Sequence, residues 1–182
     1  TVSIAVLCMP LAFGQRPLVI GPERHEVLFA TPGKVVQLDR EGNIVWEHPA
    51  EKTHDAWKLP NGNVLFAYAI NGNLGGVKEV TPEKEVVFAV EIDSEVHTCQ
   101  RLPDGNTLLS DSAHGRILEF DADGNLVKKI PVQYEKDGHG MMRHIRKLGN
   151  GHYLVGHHLN QCVREYDSSG KVVWEYHADE PI

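Results

Sequence analysis

Short apolar clusters rich in valine, isoleucine and leucine recur along the chain, and most are closed by a polar turn in which Gly follows Asn or Asp. Short β-branched runs punctuated by turn residues predict strands rather than helices. In "HDAWKLPNGNVLFAYA" the segment from His54 to Leu59 passes through Asn61-Gly62 into a second apolar run, the pattern of a tight antiparallel hairpin. Asn-Gly favours a type I′ turn with both central residues at positive φ, and that turn is expected here.

The pattern repeats. Gly62, Gly105 and Gly151 sit in "PNGN", "PDGN" and "GNGH", 43 and then 46 residues apart. Gly42, Gly124 and Gly170 sit in a second kind of turn, "DREGNIVWEH", "DADGNLVKKI" and "DSSGKVVWEY", and "TPEKEVVFAV" fills the place between the first two. A period of about 40 residues in an all-β chain points to a stacked array, and its natural unit is the four-stranded propeller blade. The expected fold is therefore all-β, a β-propeller or part of one, with about four four-stranded antiparallel blades. Their expected bounds are about 18–49, 54–92, 97–132 and 143–177. Four units are fewer than most closed rings contain, so an incomplete ring with an exposed apolar face on an end blade is expected.

Charge narrows the partners. The chain has 182 residues, a net charge of -7 and a pI near 5.8, which excludes nucleic acid or an anionic membrane as a general partner. Residues 1–15, "TVSIAVLCMPLAFGQ", carry no charge and resemble the core and cleavage site of a secretory signal peptide. A buried first strand is the alternative. Without an initiator Met or a basic start, the expectation is a signal-peptide remnant on a fragment. The mature chain would then be periplasmic or extracellular, with no stable membrane span. Cys8 would leave with that segment; Cys99 and Cys162 would remain as a disulfide or as two buried thiols. No regular Cys/His spacing appears, so no metal site and no cofactor is expected.

The candidate chemistry stands at the heads of the repeat. Aligned on the following leucine, "HDAWKL", "HTCQRL" and "RHIRKL" place His54, His97 and Arg143 in equivalent positions, with His144 one place later. If these are inner strands, their heads converge on the central channel. Imidazole and guanidinium groups around one axis make a site for a small anion, since Arg offers a planar fork and His can donate, accept or attack. The plainer reading is that these residues only punctuate turns and strand starts. His139, between two glycines in "KDGHGMMRH", is the candidate from a loop that could reach the same channel, while His157 and His158 face opposite sides of a strand and cannot easily share an ion.

The turn "VREYDSSGKVVWEY" resembles the Asp-x-x-Gly-x-x-x-Trp repeat of pyrroloquinoline-quinone-type propellers, and the frame His-x-x-x-[Lys/Arg]-Leu-Pro-[Asn/Asp]-Gly-Asn is similar to that of bacterial arylsulfotransferases. The second resemblance implies channel histidines that bind a sulfuryl group, one of them accepting it covalently. The candidate catalytic residues are accordingly His54, His97 and His139, and the candidate ligand-binding residues His54, His97, Arg143 and His144. The expected partner is a small anionic or aryl ligand. A non-catalytic propeller that binds protein or glycan is the alternative, and quinone-dependent oxidation ranks below it because no cofactor-holding set is visible. Trp46, Phe88, Lys128 and Trp174, equivalent within the repeat, are expected to pack outer hairpins against the next blade.

Overall fold

The computed structural model describes residues 23–70, 73–135 and 141–179. Residues 1–15, the start of the first expected unit and His139 lie outside them. The described residues form four consecutive antiparallel sheets, each built from strands in simple sequence order. The first contains β1 (Val27–Thr31), β2 (Gly33–Leu38) and β3 (Ile44–Ala50); the second contains β4 (Asp55–Lys58), β5 (Val64–Ile70), β6 (Leu74–Val80) and β7 (Val86–Ile92). The third contains β8 (Cys99–Arg101), β9 (Thr107–Asp111), β10 (Arg116–Phe120) and β11 (Leu126–Pro131); the fourth contains β12 (His144–Lys147), β13 (Tyr153–His157), β14 (Cys162–Tyr166) and β15 (Val172–His177). This is the blade architecture of a β-propeller. The described residues supply three strands to the first blade and four to each of the others.

The repeat turns differ from the expected hairpin type for a covalent reason. A two-residue Asn61-Gly62 hairpin would need the N–H of residue 60 to donate to Asn63 O, and Pro60 has no N–H; the Leu59 N–H makes that bond, at 2.8 Å. Instead Pro60 and Asn61 form the centre of a turn closed by the Gly62 N–H donating to Leu59 O at 2.9 Å, and Gly62 alone goes left-handed at φ 87°. Gly105 and Gly151 repeat this geometry at 88° and 85°. In the other series of turns, Asp39 Oδ1 accepts from the backbone N–H groups of Glu41 and Asn43. Hydrogen bonds from the Asn43 side chain and backbone hold that carboxyl below its usual range, and Asn125 does the same for Asp121.

The second blade breaks the series, with Lys84 at φ 71° where the others have Gly. A left-handed conformation costs a non-glycine residue about 1–2 kcal/mol, partly offset by glycine's greater unfolded entropy. Lys84→Gly is therefore expected to stabilise the fold by about 0.5–1 kcal/mol, read as a shift in urea midpoint at constant slope.

The core lies between blades. Val35 and Trp46 pack on Val64, Phe66 and Val80; Leu65 and Phe88 on Cys99, Leu109 and Leu118; Leu108, Ile117 and Ile130 on Ile145, Tyr153 and Tyr166. As expected from the repeat, Trp46 and Phe88 are buried against the next blade, and the Trp46 indole N–H donates to Thr81 O at 3.2 Å. Lys128 reaches the Tyr153 hydroxyl of the fourth blade at 3.3 Å, whereas Trp174 is exposed. Cys99 and Cys162 are both buried free thiols. Among the described residues no helix is long and apolar enough to cross a membrane.

Candidate functional site

His54 stands immediately before β4 and His97 two residues before β8, at the heads of the inner strands of adjacent blades. Their rings approach to 4.6 Å between centroids, tilted by 56°. Glu95, two residues before His97, completes the group: its carboxylate lies 3.8 Å from His54 Nε2 and 3.4 Å from His97 Nε2. One nitrogen from each imidazole and one carboxylate oxygen all fall within 4.8 Å of one another. His97 and Glu95 are buried, and His54 is the member open to solvent.

The connector from Ser94 to Thr98 is held in place by the strands beside it. The Ser110 hydroxyl on β9 accepts from the backbone N–H of His97 at 3.0 Å and of Thr98 at 3.3 Å, and the Ser94 hydroxyl accepts from Ala113 N at 2.9 Å. On the other side Gly75 lets the connector press onto β6. A Cβ there would stand 2.8 Å from Ser94 O and 3.0 Å from Val96 N. His54 and Glu95 wall a cleft of about 580 Å³ whose opposite side is the β1–β2 turn from Ala30 to Gly33.

Just along the inner strands lies a polar network that sequence reasoning did not anticipate. Asp55, next to His54, uses Oδ2 to accept from the Thr98 hydroxyl at 2.8 Å, the Cys99 N–H at 3.2 Å and Arg146 Nη1 at 3.1 Å. Arg146 also donates to Thr98 Oγ1 at 2.6 Å and stacks 4.9 Å from the Trp57 ring. Three blades are thus tied at one carboxylate.

Of the sequence candidates, His54 and His97 come together. Arg143 and His144 line a separate cleft of about 250 Å³ on the fourth blade, with Arg146, Leu154, Gly156 and Val163. His139 is outside the described residues. Glu95 was missed because it lies in an inter-blade connector, not in the repeated frame; its one sequence signal is the Glu-x-His spacing with His97. His157 is buried, with Nε2 2.9 Å from the Tyr166 hydroxyl, and burial pushes its pKa down to about 4, which makes it a neutral packing group.

The donor types can be weighed for a cation. Imidazole nitrogen and carboxylate oxygen bind first-row divalent metals at about 2.0–2.2 Å, which places neighbouring donors about 3–3.6 Å apart. The spacings here need only small side-chain adjustments. With neutral imidazoles and an ionised carboxylate the group carries one negative charge, which attracts a cation and opposes an anion.

No family model matches the chain, and no curated protein sequence matches it. Solved structures do. A protein of unknown function from Bacteroides caccae matches with a TM-score of 0.74 and 25% identity, over 87% of this chain and 60% of that one. Virginiamycin B lyase from Staphylococcus aureus, solved as a catalytically inactive histidine-to-alanine variant with quinupristin, matches with a TM-score of 0.64 and 16% identity, over 86% and 53%. The calcium-binding protein regucalcin from Agrobacterium tumefaciens gives 0.58 and 19%, over 84% and 57%. This chain is a β-propeller and spans between half and three-fifths of these structures.

Proposed function

We propose that this propeller binds a divalent cation through His54, Glu95 and His97, and through it a small anionic or aryl ligand seated in the adjoining cleft. The observation that carries the reading is the convergence of two imidazoles and one carboxylate from adjacent blades at the wall of that cleft. When bound, the cation would supply Lewis-acid polarisation to an oxygen of the ligand. Glu95 offsets histidine charge, so an anion is better recruited through a cation than by the imidazoles alone. That regucalcin is described as calcium-binding, and that a histidine-to-alanine lyase variant is described as inactive, supports seeking metal and histidine chemistry in propellers of this shape. Two imidazoles favour manganese, nickel or zinc over calcium, which prefers an all-oxygen shell. Export from the cell remains part of the proposal and rests on the uncharged first residues.

A second reading is arylsulfotransferase-like transfer, favoured by the exposure of His54 beside the buried His97. An imidazole nitrogen would attack the sulfur of an aryl sulfate as the aryl oxygen leaves with the bonding pair, and an acceptor phenol would then take the sulfuryl group while its proton passes to solvent.

Opposite pH dependences separate the two. A metal requires deprotonated imidazoles, so manganese or zinc affinity should rise at least tenfold as pH climbs through the ordinary histidine range near 6.5, and Glu95→Gln should abolish it. Direct anion binding should instead weaken over the same range. Calorimetric titration of Mn²⁺ and of sulfate between pH 5.5 and pH 8, with nitrophenyl sulfate turnover in parallel, decides between them. Sulfate binding that falls with pH, with no metal binding, would overturn the cation reading.

A further inference from the structure

The two faces of the fourth blade are unlike. In β5 only the final residue, Ile70, is less than buried, and β9 is buried throughout, because each lies between two neighbouring sheets. In β13 and β14 burial alternates strictly, with every second residue partly open. Antiparallel register sets Leu154, Glu165 and Trp174 in one row and Gly156, Val163 and Tyr176 in the next, all on the open side. Trp174 is 50% exposed, whereas Trp46 and Phe88 at the same position of the first two blades are 6% and 8% exposed.

The interior interfaces indicate what fits such a row. The cross-strand pairs Gln37–Trp46, Glu79–Phe88, Glu119–Lys128 and Glu165–Trp174 are equivalent. On the second blade, Arg101 from the inner strand of the third reaches Glu79 at 2.5 Å and lays its guanidinium 4.8 Å from the Phe88 ring. On the third, Lys147 from the inner strand of the fourth reaches Glu119 at 2.8 Å. Arg101 and Lys147 occupy one place in the repeat, immediately before Leu102 and Leu148. Glu79 also holds Asn61 and Asn63 of its own blade, and Glu165 likewise holds Asn150 and His152 of its own. Among the described residues no Lys or Arg reaches Glu165.

We propose that this face of the fourth blade receives a further unit of the same repeat, whose inner strand carries a lysine or arginine just before its leucine; that cation pairs with Glu165 and lies over Trp174. The chemistry is a carboxylate beside an exposed indole, bordered by Leu154 and Val163, which together recognise a cationic side chain on an apolar strand. A second copy of the chain is a poorer match: its Arg101 and Lys147 are already paired with Glu79 and Glu119, and Lys58, at the same place in the second blade, shares the face of β4 on which Ala56 packs against the first blade.

The test extends the full chain after Ile182 with a copy of residues 94–135, which brings its own arginine. Iodide quenching of Trp174, isolated by difference against Trp174→Phe, is expected to fall at least threefold in the extended chain. Glu165→Lys should restore quenching, and changing the appended arginine to glutamate in that variant should protect the indole again. The unextended chain should sediment as a monomer with Trp174 quenched. Undiminished quenching in the extended chain, or protection indifferent to the charge exchange, overturns the proposal. A dimer of the unextended chain with Trp174 protected overturns it in favour of a second copy.

Discussion

Gly75→Ala is expected to destabilise the fold by about 1–3 kcal/mol, the range for forcing an extra methyl into a packed interior, and to weaken any ligand of the His54–Glu95–His97 group at least tenfold. The new Cβ would meet Tyr68 O at 2.7 Å, Ser94 O at 2.8 Å and Val96 N at 3.0 Å. All three are backbone atoms, so no flexible side chain can swing aside. Relief requires the connector to move off β6, and that connector carries Glu95 and leads into His97. Urea unfolding and Mn²⁺ titration of the same preparation check both effects. Lost stability with unchanged affinity would show that the connector's position does not set the site.

Asp55→Ala should cost about 2–3 kcal/mol. Removing one partner of a buried ion pair costs about 3–5 kcal/mol; the Arg146 side chain here retains about a third of its exposure, so solvent screening reduces that figure. The Cys99 amide and the Thr98 hydroxyl would also lose their shared acceptor. Asp55→Asn keeps an acceptor without the charge and should cost about half as much. A double-mutant cycle with Arg146→Ala should show clear non-additivity, since both residues act through one contact. Strict additivity in chemical denaturation would mean that the three inner strands are not coupled through this carboxylate.

Much of the architecture was legible because a propeller blade writes its turns into the sequence. Gly42, Gly62, Gly105, Gly124, Gly151 and Gly170 all have φ between 81° and 88°, a conformation that selects glycine strongly enough to mark the period. Turn type was misread where Asn61-Gly62 drew attention away from Pro60. The heads of the strands were legible too, and His54 meets His97 because adjacent inner strands start side by side. Glu95 was not, since connectors between blades carry no repeated frame and their course depends on close packing against Gly75. Arg146 was equally hidden: its position in the repeat is held by Trp57 and Gln100 in the neighbouring blades, so no alignment of the units marks it as charged.

The strict sequence order of strands within every sheet also shapes how the molecule reaches its native state. Each strand pairs with one adjacent in the chain, so the loops that close are short and the entropy lost on closing each is small. The inter-blade clusters join more distant segments, each linking one blade to the next, and the Asp55–Arg146 pair reaches from the second blade to the fourth. Such a chain can assemble hairpin by hairpin from any starting blade, with each docked sheet providing the surface on which its successor condenses.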